Sequence, residues 1–120
     1  MMEMEKEKEG LYIMSVAARM LGMHPQTLRK YERAGFIKPA RTAGMMRLYS
    51  AEDIMQLRFI KHLVEDLGLN LAGVEVVLNI VWKLSALRNK VFALKDASEG
   101  WEEILSGIEE ILNMVGYPTT

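Results

Sequence analysis

Residues 23–50, MHPQTLRKYERAGFIKPARTAGMMRLYS, leave this chain few folds to choose from. Pro25 suits the first position of a helix, where the N–H it lacks would have no partner anyway. That helix runs to about Arg33, with Leu28 and Tyr31 inward, and Gly35 stops it. Upstream, Ser15 is a good N-cap for a short helix over residues 16–21, with Val16 and Met20 on one face. Gly22 ends it, because glycine enters the left-handed region without penalty. Two short helices joined by a three- or four-residue turn make a helix-turn-helix.

The next segment reads as a wing. Phe36, Ile37 and Lys38 form a brief strand that Pro39 confines to an edge. Its partner is Arg47-Leu48-Tyr49, and Ala43-Gly44 sits at the hairpin tip. Ser50 and Asp53 have capping-box spacing and open a third helix to about Glu65. Its apolar stripe is Ile54, Leu57, Ile60 or Lys61, and Val64. Gly68 closes it and Asn70 caps the next helix.

The 120 residues suit one domain, or one domain with an extension, and half of them are hydrophobic. The absence of cysteine excludes disulfides, thiolate metal sites and a thiol sensor, and agrees with a reducing cytoplasm. No apolar run approaches the ~20 residues of a membrane span. Residues 1–10, MMEMEKEKEG, alternate acid and base without an apolar signal core, so no secretion is expected and the segment reads as a solvated, disordered tail.

The net charge of −1 conceals an asymmetry. Residues 11–62 carry nine Lys/Arg (Arg19, Arg29, Lys30, Arg33, Lys38, Arg41, Arg47, Arg58, Lys61) against three acids (Glu32, Glu52, Asp53), giving +6. From Leu63 onward four basic residues face nine acids, giving −5. A basic front half on a near-neutral chain is the footprint of a polyanion-binding module joined to a tail with another task.

That tail has the strongest periodicity. Val77, Ile80, Leu84, Leu87, Val91, Leu94, Ser98, Trp101, Leu105, Ile108, Leu112 and Val115 are spaced alternately three and four apart, and only Ser98 is polar. This is a coiled-coil seam. Residues 96–100, DASEG, also read as a helix break with a fresh cap, so the tail is one long helix or two that fold back. Either form predicts a homodimer, with Leu84, Leu87, Val91, Leu94, Trp101, Leu105, Ile108 and Leu112 as contacts. The competing reading packs the stripe on its own domain. The expected division is a tail over 1–10, a winged head over 11–80 and a dimerisation region over 81–120.

A helix laid in the major groove presents its N-terminal residues to base edges. Here these are His24, Gln26, Thr27, Arg29 and Lys30. Gln26 can pair with adenine, and Arg29 or Lys30 with guanine. Thr27 can offer a hydroxyl to phosphate or a methyl to thymine. Tyr31 can reach a phosphate, and Arg41 and Arg47 bracket the wing, placed for phosphates or the minor groove. Structural uses compete. Arg29 or Arg33 can pair with Glu32 on a solvated face, Arg47 can hold the wing, and Tyr31 and Tyr49 can be core. The clustering of nine cations in this order favours DNA. His24 and His62 are the only histidines, and no phosphate loop or nucleophile elbow occurs, so neither a metal site, nor a cofactor, nor an enzyme is expected. Glu102, Glu103, Glu109 and Glu110 read as the outer face of the tail.

From about residue 12 to residue 74 the chain resembles the MerR family of winged-helix regulators. The likeness rests on the helix, Tyr31-Glu32, Ala34-Gly35, Arg41 and Arg47-Leu48-Tyr49-Ser50. Residues 22–29, GMHPQTLR, and 70–74, NLAGV, are similar to the heat-shock repressor (HspR) branch; most other branches carry Ser or Thr at the position of His24. The resemblance implies a mainly α fold, a winged helix-turn-helix head with a short β-hairpin wing and a C-terminal coiled-coil dimerisation helix or helix pair. It also implies a palindromic operator in double-stranded DNA, a bent or undertwisted promoter and, for that branch, repression of chaperone operons with the chaperone DnaK as co-repressor. Its DNA contacts would fall on Thr27, Arg29, Tyr31, Arg41 and Arg47. Two departures stand out: Met45 and Met46 replace a glycine and a small or polar residue, and the cysteines of metal-sensing members are absent.

The leading expectation is therefore a dimeric DNA-binding repressor. A second is a ligand-gated activator whose tail encloses a hydrophobic small molecule with Trp82, Phe92, Trp101 and Tyr117. A third is a protein-interaction adaptor whose winged head no longer touches DNA.

Overall fold

The computed structural model describes residues 10–96 and 99–118. The expected tail lies outside these save for Gly10, as does Ser98 of the stripe. Contacts divide the chain into two units, residues 1–61 and 62–120.

The first unit opens with strand β1 (Tyr12–Ile13), which runs directly into helix α1 (Met14–Leu21). The sequence reading missed β1 and started the helix too late. The N-cap is Ile13, extended and without a side-chain cap, so Ser15 lies inside the first turn. The buried face is Ala17, Ala18 and Leu21, and Met20 is 38% exposed, so the expected Val16–Met20 face is rotated away from the core. Small alanines let α1 pack closely on both neighbours, helices α2 (Pro25–Arg33) and α3 (Ala51–Lys61).

Both helices of the pair end in a Schellman motif. At Gly22 (φ 62°) the N–H groups of Gly22 and Met23 donate to the carbonyls of Arg19 and Ala18. At Gly35 (φ 82°) those of Gly35 and Phe36 donate to Glu32 and Tyr31. Each saves two carbonyls that a helix end would otherwise orphan.

Phe36 and Ile37 are buried core residues, not a strand. Strand β2 is Ala40–Arg41, just past Pro39, and β3 is Arg47–Tyr49. The antiparallel sheet has the order β1-β3-β2, with Tyr12 opposite Tyr49 and Arg41 opposite Arg47. The tip is a tight turn in which the Met45 N–H donates to the Thr42 carbonyl at 2.9 Å, with Ala43 and Gly44 between them as expected. Met45 itself takes φ 64°.

The capping box opening α3 is reciprocal. The Ser50 N–H donates to Asp53 Oδ2 at 2.9 Å, and the Asp53 N–H to Ser50 Oγ at 3.0 Å. Ile54, Leu57 and Ile60 are buried, with Phe59. From the other end of α3, Lys61 Nζ donates to the Leu21 carbonyl at 2.8 Å and Arg58 Nη2 to that of Met20 at 3.4 Å. These two cations hold the C-terminus of α1, where positive charge is favourable.

The second unit begins with a π-helical turn, His62–Asp66, in which His62 Nδ1 lies 2.8 Å from Asp66 Oδ2. Gly68 (φ 69°) closes it. The Asn70 side chain accepts from the Gly73 N–H at 2.8 Å and opens helix α4 (Leu71–Ala93), which continues through residue 80, where the head was expected to end. Gly100 (φ 85°) precedes helix α5 (Trp101–Met114). The tail is thus two helices, and α5 packs back along α4. Gly116, just past α5, lies so close to the His62 ring that a Cβ there would stand 2.5 Å from Nε2. The buried residues of this unit are Leu63, Val74, Leu78, Val81, Ile108 and Leu112. Among the described residues no helix is long and apolar enough to cross a membrane.

Candidate nucleic-acid interface

Helix α2 is shaped by its termini. His24 is its N-cap, and Nδ1 accepts the Gln26 N–H at 3.0 Å. Imidazole here does what a Ser or Thr hydroxyl usually does. Accepting at Nδ1 places the proton of the neutral ring on Nε2. His24, expected at a base edge, therefore has a structural use for one ring nitrogen, although the residue is exposed.

Along the helix Gln26 and Lys30 are exposed, while Thr27 and Arg29 are half-buried. Tyr31 is 4% exposed, and its ring lies 6.1 Å from that of Phe36, tilted by 37°, so the ring is part of the core.

The wing arginines converge on one acid. Glu32 Oε2 accepts from Arg41 Nη2 at 2.7 Å, and Oε1 accepts from Arg47 Nε at 2.5 Å. Arg41 Nη1 also donates to the Met45 carbonyl at 3.1 Å. Glu32 thus bridges α2, β2 and β3. Sequence reasoning placed Glu32 with Arg29 or Arg33; the partners that the fold gives it lie nine and fifteen residues downstream. A signal was available: Glu32 is the sole acid in residues 11–50. An acid alone among cations calls for a specific assignment.

Electrostatics agree with this geometry. Burial by itself would raise the Glu32 pKa, but the Arg47 hydrogen bond and the charges of Arg47 and Arg41 outweigh it and hold the carboxyl below its ordinary range. Tyr49 is fully buried beside the same groups, and its pKa is raised, chiefly by burial and also by the Glu32 charge, against Arg47, Arg29 and Arg41. Its hydroxyl has no hydrogen-bond partner among the described residues. Met45 and Met46 stand 64% and 55% exposed at the wing tip.

The cations are therefore divided. Arg58 and Lys61 serve the scaffold, Arg41 and Arg47 are held by Glu32, and Lys30 faces outward on α2 beside the amide of Gln26.

In the second unit the expected dimer contacts also divide. Ile108 and Leu112 are buried within the single chain, Leu84, Val91, Trp101 and Leu105 are half-covered, and Leu87 and Leu94 are 48% and 55% exposed. In the aromatic set suggested for a small molecule, Trp101 and Tyr117 are half-covered. Trp82 and Phe92 are exposed, and Lys95 Nζ lies 4.3 Å from the centre of the Phe92 ring. Trp101 borders a shallow open recess with Glu99, Gly100, Glu102 and Glu103.

Comparison with known proteins agrees with this architecture. Residues 12–79 match the MerR HTH family regulatory protein model. The heat-shock protein HspR of Streptomyces coelicolor is 43% identical over 94 residues, 78% of this chain and 62% of that protein. An uncharacterised HTH-type transcriptional regulator of Synechocystis is 31% identical over 109 residues, covering 83% and 79% of the two chains. The HTH-type transcriptional regulator ZntR of Escherichia coli is 34% identical over 71 residues, 58% of this chain and 50% of its own. The match spans the helix pair, the wing and the opening of α4, so the chain belongs to the MerR family of helix-turn-helix regulatory proteins.

Proposed function

We propose that this protein is a sequence-specific DNA-binding transcriptional regulator that represses heat-shock genes as a dimer on a palindromic operator. The observation that carries the reading is the capped helix α2, with Gln26 and Lys30 facing outward, fastened to a wing that bears Arg41 and Arg47. The heat-shock assignment is supported by the 43% identity to the heat-shock protein HspR. Gln26, Thr27, Arg29 and Lys30 read bases or flanking phosphates, and Arg41 and Arg47 meet the backbone beside them. His24 joins through its ring edge, secondary to its role as a cap. The uncovered apolar stripe of α4 and its C-cap, Ile80, Leu87 and Leu94, supplies the dimer contact with the half-covered Leu84 and Val91. Trp101 and Leu105 flank it. The protein works in the cytoplasm on the nucleoid, and DnaK acts as co-repressor.

Selection of duplexes from a random library, followed by gel shift at two salt concentrations, tests this. A palindromic sequence should emerge, bound with steep salt dependence. Arg41→Ala and Arg47→Ala should each weaken binding and flatten the log–log salt slope by about 0.9 for every phosphate no longer neutralised. Wild-type affinity in both variants overturns the wing assignment. Failure to enrich any sequence overturns the function. Adding purified DnaK should tighten the wild-type complex; no change removes the co-repressor.

A further inference from the structure

Glu32 is the only acid on α2, and it stands where negative charge opposes DNA. Its carboxylate repels every phosphate that approaches the wing, whatever the base sequence. A compensating use is visible in its bonding. Its two oxygens are taken by guanidinium groups from two different strands, and Arg41 extends the connection to the Met45 carbonyl at the tip. Strand β3 is anchored by its pairing with β1 and by buried Tyr49, but β2 is two exposed residues long and, among the described residues, pairs with β3 alone. The Glu32 side chain is 22% exposed, and those of Arg41 and Arg47 are 31% and 25%, so the three form a semi-enclosed cluster. Arg47 is engaged through Nε, which leaves the donors of its two terminal nitrogens to meet another acceptor.

We propose that Glu32 is a positioning residue for DNA recognition: by bridging Arg41 and Arg47 it fixes the bearing of the wing on α2, sharpening discrimination between operator and arbitrary DNA while lowering affinity for both. This rests on the DNA-binding reading above. A freely swinging arginine follows phosphates on any duplex. A held one meets them only where the groove fits, so its contribution depends on sequence-dependent shape.

The test uses the full chain as wild type, Glu32→Gln, Glu32→Asp and Glu52→Gln. Glu52 is an exposed acid in the first turn of α3, so its variant controls for net charge. Affinities are measured for the selected operator and for a scrambled duplex of equal length. Glu32→Gln should bind scrambled DNA at least as tightly as wild type, while its operator-to-scrambled ratio falls about tenfold or more. Glu32→Asp keeps the charge but shortens the reach, so it should lose the ratio without gaining affinity for scrambled DNA. Glu52→Gln should keep the ratio. Circular dichroism melts establish folding, and if Glu32→Gln does not melt cooperatively then Glu32→Asp decides. An unchanged ratio in the folded Glu32 variants overturns the proposal and leaves DNA binding intact. A wild-type protein that does not discriminate overturns both.

Discussion

At the scale of single residues, Glu32 decides how much of the cationic head is available to a polyanion. Its depressed pKa makes a stability statement. A carboxyl whose folded value lies below its unfolded one contributes stability that is fully present above the unfolded value and is lost as pH falls through the folded value. The clamp is therefore intact near neutrality and opens in acid. The melting-temperature gap between wild type and Glu32→Gln should be present at about pH 6–7 and shrink below about pH 4, the ordinary glutamate range. A gap that persists unchanged at about pH 3 would mean that the substitution disturbs packing rather than charge. Legibility at this scale was uneven. Leu28 was readable as core from helical spacing, but Tyr31 was ambiguous because a tyrosine suits both a core and a phosphate. The Glu32 pairs were unreadable because they span nine and fifteen residues through a hairpin whose register was not known.

At the scale of elements, boundaries with a chemical marker were the legible ones. Pro25, Gly35, the Ser50–Asp53 box and Asn70 each act on backbone groups next to them in sequence, so their effect can be read locally. Of the strands, β3 was read at Arg47-Leu48-Tyr49, whereas β1 and β2 were not. Two-residue strands carry no alternation, and Phe36 and Ile37 have strand propensity but are drawn into the core. The π-helical turn was likewise invisible, since one extra residue in a turn leaves no compositional mark. His24 provides the test at this scale. His24→Ala should destabilise the protein by about 0.5–2 kcal/mol in denaturant titration, because the Gln26 N–H is deprived of its acceptor. His24→Ser should restore most of that stability. If alanine and serine prove equivalent, the imidazole is not a cap of consequence.

At the scale of the whole molecule, the stripe from Val77 to Val115 was legible as apolar, but its partner was not. A spacing of three and four is satisfied equally by another segment of the same chain and by a second copy. The fold uses it for both kinds of face: Ile108 and Leu112 are spent inside the α4–α5 hairpin, while Ile80, Leu87 and Leu94 stay uncovered. Covering them with a second copy is the assembly expected of a dimeric regulator. Leu87→Asp should accordingly halve the mass seen by light scattering and weaken operator binding, with helix content kept in circular dichroism. A monomeric wild type, or a dimeric Leu87→Asp, removes α4 from the interface.

Met45 carries a consequence of its own. An L-residue at φ 64° bears a steric penalty of about 1–2 kcal/mol that glycine would escape. The hairpin would thus close more readily with its tip stripped of a side chain. Folding stability gives no reason for a thioether at that corner, so any advantage it brings must be sought in what the tip encounters beyond its own chain.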